Sequence, residues 1–288
     1  MEITFGIIDV GSNSVRLLVS SGGKTLYKTA VITRLSDGLG KGNAALSDAA
    51  VFRSAKAVSY FCDVAKSYGA TVIRAFGTAA LRQADPTFFI ETVKKLCGVT
   101  VEVVAGDIEA ELGFLGAVGT GDGGIIDIGG ASTEVIIKSG GKNLFSKSFD
   151  IGAVKLFDLT GENPDKMRYE LNSRLNGVPD SLNAKFFGIG GTITSLAAID
   201  QKLIPYDPNK TNGYVLTDKK VSDLTEFLLS TPEKERGSIA GLQKGRERII
   251  ACGAYILKKV MEKFKIGSLT VSESDNLEGY LRYITEIK

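Results

Sequence analysis

No histidine occurs among the 288 residues. That excludes Ser-His-Asp and Cys-His catalysis and every histidine-ligated metal centre. Acid–base work must fall to carboxylates, lysine, tyrosine or cysteine. A bound metal would have oxygen ligands, which favours Mg²⁺, Mn²⁺ or Ca²⁺. Cysteine is scarce: Cys62, Cys97 and Cys252 stand apart and form no CxxC, so neither a disulfide framework nor a zinc site is expected. No apolar run approaches the roughly 20 residues of a membrane helix. The opening "MEITFGIIDV" lacks the basic start and long apolar core of a signal peptide. Net charge is small, +2 at neutral pH, so a polyanionic partner would have to meet a local basic patch. A cytoplasmic protein is expected, with no membrane and no nucleic-acid partner.

What is present describes a globular chain, 43% hydrophobic and 24% charged, and long enough for two cores. Two stretches organise it. "GIIDVGSNSVRL" (6–17) and "GIIDIGGASTEV" (124–135) align without a gap at an offset of 118 residues. They share Gly, Ile, Ile, Asp, Gly and Ser. After each comes a second strand, a Gly-Gly turn (Gly22-Gly23, Gly140-Gly141) and a third strand, a hairpin pattern. Helices and further strands follow in both halves. A helix is expected over 47–67, others from Thr78 and Asp107, and in the second half over 154–159, 164–175, 192–200, 221–230 and 246–264. The stretch "PYDPNKTNGY" reads as a surface loop. The pattern predicts a duplicated α/β domain with a mixed sheet, residues 1–119 and 120–275. The C-terminal helix, 276–288, is expected to return to the first domain.

In such folds ligands bind beyond the C-termini of strands. Asp9 and Asp127 each end a strand and are followed by Gly-Ser-Asn-Ser and Gly-Gly-Ala-Ser-Thr. Glycines let the backbone turn its N–H groups onto a ligand, and Ser12, Asn13, Ser14, Gly129, Gly130, Ser132 and Thr133 would suit a phosphate. An aspartate there would repel the phosphate unless a cation bridged them, which suggests Mg²⁺. A tight hairpin capped by Asp is the alternative for either loop alone; its repetition favours phosphate binding. A third turn, Gly188–Thr192 with Gly191 and Thr192 at its end, enters a helix N-terminus. Thr78 lies at a strand–helix junction with Arg82 one turn on, either a phosphate fork or an exposed helical arginine. In "AGDIEAELGFLGAVG", Ile108, Leu112 and Leu115 face a core while Glu109, Gly113 and Gly116 line another face. Pattern alone favours Glu109 as an ordinary first-turn acid over a ligand-facing carboxylate.

Taken together, "IDVGSNSVRLLV", "DGLG", "GTAALRQA", "AGDIEAELGFLG", "IDIGGASTEV", "GIGGTITSLA", "GRERIIACGAYIL" and "LEGYL" resemble the exopolyphosphatase/guanosine pentaphosphate phosphatase family, in the family's order and from Ile8 to Leu281. That family lies in the actin–Hsp70–sugar kinase superfamily. The resemblance implies two ribonuclease-H-like domains around a cleft. It implies Glu109 as catalytic base, matching the second glutamate of "GxEEA". It implies Asp127 as an Mg²⁺ (or Mn²⁺) carboxylate, joined by Asp9 or Glu134, and Arg82 and Arg246 as basic residues along the phosphate path. Four positions depart from the family pattern: Ile108, Ala131, Asn212 and Arg248.

The expected activity is hydrolysis of the terminal phosphoanhydride of inorganic polyphosphate, with guanosine pentaphosphate as the alternative substrate. An actin-like small-molecule kinase and a non-catalytic phosphate sensor are rival readings. A monomer and a homodimer stay open.

Overall fold

The computed structural model describes residues 2–37, 39, 45–177 and 184–287. The glycine-rich stretch expected between strand and helix, including the "DGLG" motif, falls largely on residues 38 and 40–44, outside the described residues. The chain divides into two compact units. One runs to Gly116 and takes in the C-terminal stretch from Asn276; the other spans Ala117–Asp275.

The first unit opens with β1 (Thr4–Val10), β2 (Ser14–Ser21) and β3 (Lys24–Ile32), an antiparallel meander. Gly22 and Gly23 turn the second hairpin at φ 54° and 75°, values that side chains rarely tolerate. Then come α1 (Asp48–Ser67), β4 (Val72–Gly77), α2 (Ala79–Gln83), α3 (Thr87–Cys97), β5 (Val101–Val103) and α4 (Gly106–Ala117). The described strands order as β3-β2-β1-β4-β5, with β4 and β5 parallel to β1. Alternation sorts the sheet's two faces. Ile8, Val10, Val15, Leu17 and Val19 pack on one side with Val51, Val58, Phe61, Phe89 and Val93 of α1 and α3. Ile7, Leu18 and Phe76 pack on the other with Leu112 of α4 and with Leu277 and Tyr280 of the C-terminal segment.

The second unit repeats the start with β6 (Gly123–Ile128), β7 (Thr133–Ser139) and β8 (Lys142–Phe149), followed by α5 (Ala153–Thr160) and α6 (Pro164–Arg174). After β9 (Phe186–Ile189) come α7 (Gly190–Asp200), α8 (Pro208–Thr211), β10 (Val215–Thr217), α9 (Asp218–Ser230), α10 (Glu233–Arg236), α11 (Ile250–Phe264) and β11 (Ser268–Val271). The described strands order as β10-β11-β9-β6-β7-β8. The repeat reaches fine detail: β2–β3 shift register between Val19 and Ser20, and β7–β8 between Ile137 and Ile137's successor Lys138, again 118 residues on.

Last comes α12 (Asn276–Arg282), continued by a π-helical turn over Tyr283–Ile287. Tyr280 stacks on Phe76, ring centroids 4.5 Å apart.

Three sequence expectations change. The helix expected from Thr78 is two, because Pro86 cannot continue the first and instead caps the second. The helix expected from Arg246 starts at Ile250; Gly245 before it sits at φ 87°, outside any helix. The expected surface loop 205–214 contains α8, with Thr211 buried. No helix among the described residues is long and apolar enough to cross a membrane.

Candidate active site

In the first unit, β1 delivers Asp9 to the edge of the Gly11–Ser14 turn. Gly11 N–H donates to the Ser14 carbonyl at 2.9 Å, closing the turn. The far strand end holds it from behind: the Thr33 and Arg34 N–H groups donate to the Asn13 carbonyl, and Ser36 N–H to that of Ser12. The Asn13 side-chain nitrogen is buried with no hydrogen-bond partner among the described residues, a donor of the kind an anion would satisfy. Asp9 itself is committed. Arg16 lies directly across from it on β2, and both Nε and Nη2 of Arg16 donate to Asp9 Oδ2. The metal role expected for Asp9 did not include this partner: a guanidinium lies on its Oδ2. Sequence reasoning missed Arg16. The signal was available, since a tight turn between Asp9 and Arg16 makes them cross-strand neighbours.

One turn into α4, Glu109 is buried and accepts from Arg82 Nη1 at 2.5 Å; the same nitrogen donates to the Val104 carbonyl at 3.0 Å. Two residues expected to act separately are thus an ion pair. Arg82 holds the carboxylate through Nη1. Thr78, also buried, begins the short helix that carries Arg82, and its carbonyl accepts from Leu81 and Arg82.

The second unit rebuilds the turn. Gly129 N–H donates to the Ser132 carbonyl at 3.0 Å, the counterpart of Gly11 and Ser14. Val154 N–H donates to the Gly130 carbonyl at 2.8 Å, the counterpart of Ser36 and Ser12. With Ala153 and Lys155 also donating to Gly129 and Gly130, the N-terminus of α5 is clipped onto this turn. Ser132 is buried in it; the Thr133 hydroxyl donates to the Ile151 carbonyl at 2.7 Å, tying β7 to the link between β8 and α5. Where Asp9 faces Arg16, Asp127 faces Glu134. Glu134 is fully buried and accepts from the Ser148 hydroxyl at 2.6 Å.

The third turn closes on the same carboxylate. Gly190 has φ 81°, and a Cβ there would overlap Asp127 Oδ1. A Cβ at Gly191 would overlap the Arg246 guanidinium. Hence Asp127, the uncapped N-terminus of α7 and Arg246 converge on Gly190 and Gly191, the first held at a φ that favours glycine. Thr192 packs beneath, its hydroxyl 3.4 Å from the Ile128 carbonyl. Amides at a helix N-terminus and a guanidinium attract an anion; the neighbouring carboxylate suits a bridging cation.

A family model described as the Ppx/GppA phosphatase family matches residues 18–284. The chain belongs to this family. Exopolyphosphatase 2 of Mycobacterium tuberculosis is 29% identical over 306 residues, covering 94% of this chain and 95% of that protein. The guanosine-5'-triphosphate,3'-diphosphate pyrophosphatase of Vibrio atlanticus is 29% identical over 295 residues, covering 96% of this chain but 58% of that protein. A solved Ppx/GppA structure from Aquifex aeolicus superposes with TM-score 0.80 at 27% identity, covering 100% of both chains. The two-domain α/β fold is that of the family.

The departures from the Ppx/GppA pattern have local explanations. Ile108 packs beside the core that includes Leu112 and Tyr280. Ala131 is buried in the second turn, with Gly152 tight against its backbone. Asn212 accepts from the Glu273 N–H at 3.1 Å. Arg248 pairs with Asp158 at 2.8 Å, so its charge is met within the fold. As for a metal, no group of three or more Asp, Glu, Cys or His among the described residues is placed to hold one. Mg²⁺ does not need such a cage: one or two carboxylates, with phosphate oxygens and waters, meet its octahedral demand. Asp127, backed by Glu134, fits that donor set.

Proposed function

We propose that the chain removes the terminal phosphate of inorganic polyphosphate as orthophosphate. The carrying observation is the convergence of Asp127, the α7 N-terminus and Arg246 on Gly190 and Gly191. It offers donors for phosphate oxygens and a carboxylate for a hard cation. A relative whose own length this chain nearly matches is an exopolyphosphatase, which favours polyphosphate over a guanosine nucleotide.

In this reading, Arg246 and the amides at the start of α7 grip phosphate oxygens. The Gly129–Ser132 turn of the same unit holds a neighbouring phosphate; in the first unit, the Gly11–Ser14 turn offers the Asn13 amide as an anion donor. Asp127 would hold Mg²⁺, which neutralises charge on the transferred group. Glu109, oriented by Arg82, accepts a proton from water. The water oxygen forms a bond to the terminal phosphorus. The bridging P–O bond breaks, and its electron pair leaves with the shortened chain. Most of the rate then comes from positioning and electrostatics.

The test is phosphate release from polyphosphate, guanosine pentaphosphate and ATP, with Mg²⁺ or EDTA. Release from polyphosphate is expected to exceed the others. Glu109→Gln keeps the size and removes the base, so hydrolysis should drop about 10²–10⁴-fold with binding retained. Near-normal turnover in the folded variant would remove Glu109 from the mechanism.

A further inference from the structure

Arg246 sits where no regular ladder fixes it. Residues 241–249 are turns and irregular backbone, and Gly241 and Gly245 adopt φ 90° and 87°. A flexible side chain on such a segment would lose entropy when held over Gly191. The Arg246 Nε donates to Gln243 Oε1 at 3.1 Å, and its carbonyl accepts from the Ile249 and Ile250 N–H groups. Two other arginines add to that constraint. Arg236 is fully buried. Its Nε donates to the carbonyls of Leu228 and Thr231, and its two terminal nitrogens fork onto Glu162 at 2.6 and 2.8 Å. The same Nη1 donates to the Glu247 carbonyl at 3.0 Å. Arg248 donates to Asp158 at 2.8 Å and lies over the Phe157 ring at 4.6 Å. Glu247 and Arg248 are the two residues that follow Arg246.

Both anchors lead to one helix. Asp158 belongs to α5, and Glu162 to the turn just after it. The opposite end of α5 carries the amides that hold the Gly129 and Gly130 carbonyls. A single rigid element therefore ties the second turn to the segment bearing Arg246.

We propose that Arg236 and Arg248 are positioning residues which, through Glu162 and Asp158, keep Arg246 in register with the Gly129–Gly130 turn. The inference rests on the phosphate-binding role proposed for Arg246. Neither arginine need touch substrate. A buried charge network of this kind is costly to break and specifies one arrangement. Arg248, which departs from the family pattern, then sets affinity through its neighbour.

The experiment compares Arg246→Ala, Arg248→Gln and their double variant, with Arg236→Lys as a further probe. The readouts are KM and kcat on tripolyphosphate, the Kd of tripolyphosphate by calorimetry, and melting temperature. Arg248→Gln should raise KM and Kd by roughly tenfold, with kcat unchanged. Added to Arg246→Ala, it should raise neither further, because the group it positions is gone. Its effect on melting temperature should be the same in both backgrounds. Arg236→Lys, which keeps charge but loses the fork, should repeat the KM effect; Arg248→Gln decides the matter if that variant does not fold. Raised KM and Kd in Arg246→Ala with unchanged values in Arg248→Gln would overturn the positioning role alone. So would losses that multiply in the double variant. Unchanged affinity in Arg246→Ala would sink both the role of Arg246 and its positioning. Calorimetry reads these outcomes even if hydrolysis is absent, which keeps them separate from the proposed activity.

Discussion

Asp9 and Asp127 hold the same place in the two copies of one hairpin, yet they face opposite partners. Across from Asp9 stands Arg16; across from Asp127 stands Glu134. Cross-strand opposite charges stabilise a sheet, and like charges destabilise it. The first copy has therefore converted its carboxylate to an internal ion pair. The second keeps two carboxylates together, an arrangement that a bound cation would relieve. From this follows a prediction. Asp127→Asn removes a hard anionic donor beside Gly190 while preserving its shape, and should weaken the dependence of activity on Mg²⁺. A metal titration of both proteins checks it; a superimposable activation curve and equal maximal rate would make Asp127 only a turn cap. The difference between the copies was open to reading from the offset alone, since Arg16 and Glu134 are equivalent positions. What could not be read was the pairing of Arg82 with Glu109. It depends on how a strand–helix junction and a later helix pack, and no local pattern encodes that distance.

The hairpins were legible because Gly-Gly turns and period-two alternation are local signals. The limits of the helices were less so, because tertiary contacts set them. Arg246 looks helical by pattern, yet it precedes α11, and its carbonyl accepts from Ile249 and Ile250. The C-terminal helix shows how close packing imposes a residue. A Cβ at Gly279 would overlap the Leu112 carbonyl, so α12 meets the backbone of α4 without a side chain between them. Gly279→Ala should cost about 1–3 kcal/mol through overpacking. Denaturant unfolding measures this, and an unchanged midpoint would mean that α12 does not rest on α4. The neighbouring Tyr280 adds a pH dependence. Its hydroxyl donates to Glu102 at 2.9 Å. Burial first, then the Glu102 carboxylate, pushes the phenol well above its ordinary value of 10.0. A raised folded value favours the protonated form, so this stability is fully present below about pH 10 and is lost as pH climbs above it. Unfolding measured from pH 8 to 11 should fall more steeply in the native sequence than in Tyr280→Phe. Parallel curves would remove Tyr280 as the source.

Each of the two units carries its own turn of backbone donors, while the chain as a whole is nearly neutral at +2. Global attraction therefore cannot account for binding of a polyanion; individual guanidinium and amide groups must. Such local contacts predict how affinity depends on salt. A longer polyphosphate offers more charges to be neutralised, and each neutralised charge makes association more sensitive to ionic strength. Long polyphosphate should then bind more tightly than tripolyphosphate or ATP at low salt, and the gap should narrow as salt rises. Arg246→Ala removes one of the cationic contacts at Gly191. It should both weaken long-chain binding and flatten its salt dependence, by more than any change in stability explains. Arg16, held by Asp9, and Arg82, held by Glu109, already spend part of their charge inside the protein. Their substitution should disturb the fold of the site as well as the charge. Binding of several chain lengths across a salt series, for the native sequence and Arg246→Ala, decides the point. Affinity that neither grows with chain length nor falls with salt would end the case for polyphosphate and turn attention to the guanosine nucleotide.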